Sequence, residues 1–375
     1  MSFFGNQSNW QLRSLKEIAT LKRGYDLPTK LRTAGKVPIY AANGQNGSHN
    51  EAKIKGPGVI TGRSGTIGKV HYTNTDYWPL NTSLYVTNFH GNDPKWVFYM
   101  LKAFQLERFV EGAGVPTLNR NLVHDELIPL PPLHEQKRIA AILDKADTIR
   151  RKRQQAIQLA DDFLRSVFLD MFGDPVTNPK GWELKPLASL CRKITDGTHH
   201  SPPIVEKGVP YVTAKHLKKT GLEFHAKPWY VSEEEHKKIF SRCNPEKNDV
   251  LYIKDGATTG LAAINEYGFE FSMLSSLALL KPNFELVNSE FLCMFLNHPR
   301  TKLVLTANMA GAAITRLTLA KIKDVQVPLP DINTQEKFKE VYLSVRALSN
   351  KVKASDGLSE QEFNSLSQKA FAGQL

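Results

Sequence analysis

WQLRSLKEI, residues 10–18, returns 172 residues later as WELKPLASL, residues 182–190. At the same spacing VPIY (37–40) is answered by VPYV (209–212). Two matches at one offset identify an internal repeat, and a repeat constrains architecture before any single element does. Downstream, VITGRSGTIGKV (59–70) corresponds to VLYIKDGATTGLA (250–262), and GVPTLNRNLVHDELIPLPPLHEQ (114–136) to AAITRLTLAKIKDVQVPLPDINTQ (312–335). The offset widens to 191 and then 199, so the second copy carries insertions, and YVSEEEHKKIF (230–240) reads as an added helix.

Each copy has the same order: a Trp-led opening, short β-rich runs, a helix, a Pro-rich boundary and a long helix. The internal helices are predicted over 94–110 and 288–305. The fold class expected is α+β, with two tandem pseudo-repeated domains at 1–132 and 175–331 and long helices at 133–174 and 332–375. From 134 to 172 there is no Gly or Pro, and apolar residues fall in three- and four-residue steps at Ile139, Ile142, Ala146, Ile149, Ala156, Ala160, Phe163 and Val167. That is a coiled-coil seam, on a rod of about 57 Å at ~1.5 Å per residue. The second arm repeats the rhythm at Phe338, Val341, Val345, Leu348 and Val352, breaks at SDG (355–357) and resumes to the last residue. The two helices are expected to pack antiparallel.

Composition narrows the function. In 375 residues the formal charge is +12, which suits a polyanionic partner, nucleic acid first. Cys191, Cys243 and Cys293 lie about 50 residues apart with no CxxC pair, which argues against zinc or a disulfide framework. No stretch reaches the ~18 apolar residues of a membrane span. A reduced, cytoplasmic protein is expected.

Three stretches imitate catalytic motifs. TGRSGTIGKV (61–70) resembles a P-loop, but its spacing is one residue too long, Val70 follows Lys69, and its repeat copy has Leu261 in place of the lysine. It reads instead as a hairpin in which Gly65 and Gly68 take positive φ. Asp125, Glu135 and Lys137 imitate an acidic-x-Lys nuclease core, yet Glu135 sits where the dipole of a helix start favours an acid. His199 and His200 in ITDGTHHSPP lack further ligands for a metal. No catalytic residue, bound cofactor or metal is therefore expected in the chain. A metal-dependent nuclease using Asp125, Glu135 and Lys137, or a nucleotide hydrolase using the Gly62–Lys69 loop, is the alternative.

Taken together, the Trp-led openings, TDGTH (195–199), the paired Gly-rich hairpins, LPPLHEQKRIAAIL (130–143), FLDMFGDP (168–175) and SLSQKAFAGQL (365–375) resemble the specificity subunits of type I restriction-modification systems. The resemblance covers nearly the whole chain. It departs at the second boundary, LPDINTQEKF, which is degenerate, and at Gly357. It implies that each α+β unit is a target recognition domain reading one half of a bipartite, asymmetric double-stranded DNA site, with the helices as spacer. It also implies partners: two methyltransferase subunits docked on the helices, and restriction subunits. S-adenosylmethionine, ATP and Mg would bind those partners. DNA repeats about every 34–36 Å, so a rod of about 57 Å suits half-sites roughly one to one and a half turns apart.

By motif position, the residues expected to touch DNA are Arg23, Tyr25, Asn43, Gln45, Asn46, Arg63, Ser64 and Lys69 in the first domain. In the second they are Asp196, Thr198, His199, Lys215, Lys254, Thr258 and Thr259. Arg63 and Lys69 are the expected phosphate contacts. The basic cluster IRRKRQ (149–154) offers a further face to DNA lying along the coil.

Overall fold

The computed structural model describes residues 2–112, 116–307, 316–354 and 360–375; residues 114–115, 312–315 and the SDG break fall outside the described residues. Two compact units emerge, Met1–Gln155 with Ala354–Leu375, and Ala156–Lys353. The division differs from the segmentation at 132, 174 and 331. It cuts the helix Leu133–Phe172, so each unit holds one body and a stretch from each arm.

In the first unit, four antiparallel strands run in the order Thr20–Arg23, Ser83–Asn88, Gly58–Gly62 and Val70–Thr73. A smaller sheet sets Val37–Ala41 between Gly44–His49, antiparallel, and Trp78–Pro79, parallel. A ribbon of Gln11–Ser14 with Leu127–Leu130 closes the base. The helix Pro94–Ala103 starts where Asp93 accepts the Trp96 amide at 2.8 Å and Pro94 needs no partner for a missing N–H. It is shorter than 94–110, and a 3-10 turn, Leu106–Phe109, follows Gln105 at positive φ.

The second unit repeats this topology. Its large sheet runs Cys191–Asp196, Leu277–Pro282, Val250–Ile253, Ala262–Ile264, and its small one Tyr230–Val231, Val209–Val212, Ser272–Met273. The base ribbon pairs Glu183–Pro186 with Gln326–Leu329. The insertion supplies a two-stranded ribbon, Leu217–Lys218 with Gly221–Leu222, and the expected extra helix, Glu233–Arg242, capped by Ser232. The predicted helix 288–305 is two, Ser289–Asn297 and Pro299–Thr306, because Pro299 has no N–H to continue the first.

The arms pack within each unit. In the second, Phe168 and Phe172 meet Phe338 at ring separations of 5.7 and 5.3 Å, while Arg346 reaches Asp161 at 3.8 Å farther along, so the two stretches run antiparallel. Burying each such ring is worth about 1.5–3 kcal/mol. In the first, Arg150 lies over the Phe363 ring and Arg138 donates to the Leu375 carbonyl, again antiparallel. The N-terminal segment joins this end of the unit: Gln7 N–H donates to Ala372 O at 2.8 Å, and the Phe4 and Phe371 rings stand 5.2 Å apart.

The seam is corrected by one position along much of its length. Ile139 and Phe338 are buried, but Ile149, Phe163 and Leu348 are 42, 52 and 60 % exposed. Ile142, Ala146, Ala156, Ala160, Val167, Val341, Val345 and Val352 are half-buried or exposed, and the buried face is Leu143, Asp147, Leu164, Phe168 and Tyr342. A straight helix turns 3.6 residues per turn, so an alternating three-four set drifts off one face over several turns. Apolar spacing also passes over Asp147, whose carboxyl burial would raise. Arg150, Lys102 and Arg151 outweigh that effect and hold it below the ordinary range. Two arginines of the basic cluster thus pair with Asp147, Arg150 half-buried and Arg151 exposed.

Two repeated polar devices fasten arm to body. Gln136 accepts from Asp93 N–H at 2.9 Å and donates to Asn92 Oδ1 and Pro131 O. Gln335 accepts from Asn288 N–H at 3.0 Å and donates to Leu286 O and Pro330 O. Each glutamine ties the arm's first turn to the N-terminus of the body's helix. Asn6 and Asn178 brace the Trp10 and Trp182 main chains in the same way, accepting the amide and donating to the carbonyl.

Candidate nucleic-acid interface

In each unit one short segment gathers loops that are remote in sequence. In the first, Gly24 N–H donates to Ser83 O, Tyr25 N–H to Pro79 O, and both Arg63 and Ser64 N–H to Thr82 O, while Leu80 N–H donates to Tyr40 O. In the second, Thr198 N–H donates to Met273 O, Lys254 N–H to Ser276 O, Ser275 N–H to Thr198 O, and Leu274 N–H to Val212 O. Residues 79–83 and 273–276 are therefore equivalent hubs. A Cβ at Gly24 would stand 2.2 Å from Leu80 O, and one at Gly197 2.1 Å from Met273 O. Only glycine admits the loop that close to its hub.

The Gly-rich segment that imitates a P-loop is a hairpin connection. Gly65 and Gly68 have φ of +83° and +87°, and the chain returns as the strand Val70–Thr73, antiparallel to Gly58–Gly62. A phosphate-gripping loop needs a helix at that point. The twin connection keeps the geometry, with Gly256 and Gly260 at +99° and +91°. Asp125 ends the short helix Arg120–Asp125, whereas Glu135 begins the arm helix. Among the described residues, no three His, Cys, Asp or Glu side chains cluster as metal ligands.

Most of the first unit's expected contacts reach the surface around the hub. Arg23, Asn43, Gln45, Asn46 and Lys69 are exposed, and Arg63 and Ser64 half-buried. Asn43 lies in the two-residue link of the hairpin joining Val37–Ala41 to Gly44–His49, against which His71 packs. Burial, then the charge of Lys69, keep His71 below its ordinary pKa, so it stays neutral near pH 7. Tyr25 is corrected: its hydroxyl bonds Tyr85 at 2.9 Å and its ring joins an internal aromatic cluster.

The second unit departs further from expectation. Asp196 and Lys254 are each only 3 % exposed. Asp196 binds Arg242 at 2.6 Å and lies 3.5 Å from His199 and 3.6 Å from Lys254; Lys254 binds Asp255 at 2.8 Å, which in turn meets Arg316. These are internal ion pairs, since an isolated charge at such burial is very unfavourable. Thr259 is also corrected, its hydroxyl closing the turn on Gly256 O, and Thr198 is turned inward onto His200. His199, Lys215 and Thr258 remain exposed, with the Lys215 ammonium 4.6 Å from the Trp229 ring centre. His200 ties the loop to the added helix through Glu235 at 2.8 Å. Sequence reasoning missed Arg242, Arg316 and Arg120. Arg242 answers the buried Asp196 and Arg316 the half-buried Asp255, and the sequence signal for Arg120 and Arg316 is their place in the matched TLNR and RLT segments.

Cys243 and Cys293 are buried, Cys191 half-buried, and burial pushes all three thiols up to about 12. No helix among the described residues is long and apolar enough to cross a membrane.

Comparison with known proteins follows this duplicated geometry. A family model described as the type I restriction modification DNA specificity domain matches residues 7–159 and again 179–342. The chain is 22 % identical to the type I restriction enzyme MjaIX specificity subunit of Methanocaldococcus jannaschii, over 88 % of this chain and 85 % of that one. It is 24 % identical to a putative type I specificity subunit of Mycoplasma pneumoniae, over 86 % of each. Its fold matches the crystal structure of a type I restriction-modification S subunit from M. genitalium with a TM-score of 0.66 at 16 % identity, over 100 % of this chain and 99 % of the other.

Proposed function

The chain belongs to the type I restriction-modification DNA specificity family, and on that premise we propose that its two bodies read the two unlike halves of a bipartite double-stranded DNA site. The observation that carries this reading is the pair of equivalent hubs, each holding the same set of loops but dressed with different side chains. A shared scaffold with unlike loops presents unlike donors and acceptors to base edges, so the halves of the target differ. Exposed Asn43, Gln45 and Asn46 in the first body, and His199, Lys215 and Thr258 in the second, are the side chains placed for that readout.

The subunit itself supplies recognition and no chemistry. Adenine methylation with S-adenosylmethionine and ATP-driven cleavage belong to partner methyltransferase and restriction subunits, two of the former docking on the arms. The arms set the unread gap. Inserting seven residues into both arms adds ~10.5 Å of helix, about three steps of ~3.4 Å along DNA. Methylation mapping should then show a gap longer by about three base pairs. An unchanged gap would contradict the spacer role.

A further inference from the structure

Equivalent places in the two bodies differ in charge balance. Arg23 is the counterpart of Asp196, because each precedes the glycine that presses on its hub. Arg63 is the counterpart of Lys254, because their carbonyls accept from Leu118 and Leu317 N–H, both at 2.8 Å. Ser64 likewise corresponds to Asp255, since the two form bridges to Thr117 and Arg316. In the second body this place is filled and neutralised by Asp196, Lys254 and Asp255. In the first body both acids are gone.

There Arg23, Arg63 and Arg120 line an open concavity of about 360 Å³. Among the described residues none of the three guanidinium groups makes an ion pair or a side-chain hydrogen bond, so all three keep their donors for a ligand. The acid in the lining, Glu111, already accepts from Asn119 Nδ2 at 2.7 Å, leaving three cations against one carboxylate. Convergent unpaired guanidinium groups repel one another and offer planar forks that match phosphate oxygens.

We infer that this concavity clamps a backbone phosphate of the DNA held by the first body, and that the second body has no such clamp because its own acids occupy the place. The inference rests on the DNA-reading function proposed above. It makes the halves unequal in kind: the first supplies more of the salt-sensitive, sequence-independent grip, and the second relies more on other contacts.

The test measures binding of the full chain to a duplex of defined length by fluorescence anisotropy between 50 and 200 mM salt. Arg23→Gln with Arg63→Gln should make the slope of log K against log salt less negative by about 0.9, the value for one phosphate contact. Over that range the variant then loses roughly 3.5-fold less affinity than the wild type does. Arg23→Lys with Arg63→Lys should keep the slope, and Arg23→Asp, which restores the second body's pairing beside Arg63, should flatten it without lowering the unfolding midpoint. Should the glutamine variant fail to fold, the lysine and aspartate variants decide alone. An unchanged slope in both charge-removing variants overturns the clamp, as does a site that responds to inorganic phosphate in thermal shift while the DNA slope stays put. A wild-type chain that binds no duplex even at 50 mM salt rejects instead the reading on which the clamp rests.

Discussion

Replacing Gln335 by alanine removes three hydrogen bonds from a side chain with no exposed surface. The amide of Asn288 loses its acceptor and stays buried, at a cost of about 1–3 kcal/mol, and the two carbonyls lose donors worth about 1 kcal/mol each at most. Part of this is recovered because a carbonyl has a second lone pair and the smaller side chain releases rotamer entropy, so about 2–4 kcal/mol is expected. In local terms that is roughly a 30- to 900-fold rise in the opening constant where the arm meets the helix Ser289–Asn297. Hydrogen exchange, read on peptides covering residues 286–297 and 330–342, should show faster amides there, and urea should unfold the chain earlier. Gln335→Glu should be at least as disruptive as alanine near neutral pH, because it keeps an acceptor for Asn288 but turns a buried carboxylate without a counter-charge toward two carbonyls. Unchanged exchange and an unchanged urea midpoint in Gln335→Ala would refute the idea that this side chain fastens arm to body.

Asp196→Ala takes one counter-charge from Lys254 and the direct partner from Arg242. Because Asp255 still holds Lys254, the loss should sit near the lower end of the ~3–5 kcal/mol typical of broken buried pairs, and a denaturation midpoint equal to wild type would show the network to be idle. Acid should also weaken the fold. His124 accepts Leu21 N–H and His216 accepts Thr213 N–H as neutral rings, and burial foremost depresses both pKa values below 6.5. The unfolded chain then takes up protons first, so this contribution is complete above about pH 6.5 and is lost as pH falls through the folded values. Thermal midpoints taken between pH 7.5 and 5 should decline, and the decline should be shallower in a variant with both histidines changed to glutamine; an equal slope in that variant would assign the effect to other groups.

The sequence by itself determined the repeat, the α+β class, the added helix, the hairpin nature of TGRSGTIGKV and the family resemblance. Each of these is carried by near neighbours: apolar spacing along a helix, glycines at positive φ, a cap at a helix start, a motif read in one stretch. The tertiary structure alone decided which loops share a hub, because Gly24, Tyr40, Arg63 and the 79–83 segment meet only through long-range main-chain bonds. It also decided that Asp196 and Lys254 face each other inside the second body, while Arg23 and Arg63 stay open in the first. A lysine in a Gly-rich loop looks the same on paper whether it meets DNA or a buried aspartate. The phase of the arms was legible only in outline, since the residues that pack there include Asp147, Gln136 and Gln335, whose burial is stabilised by partners that no apolar pattern records.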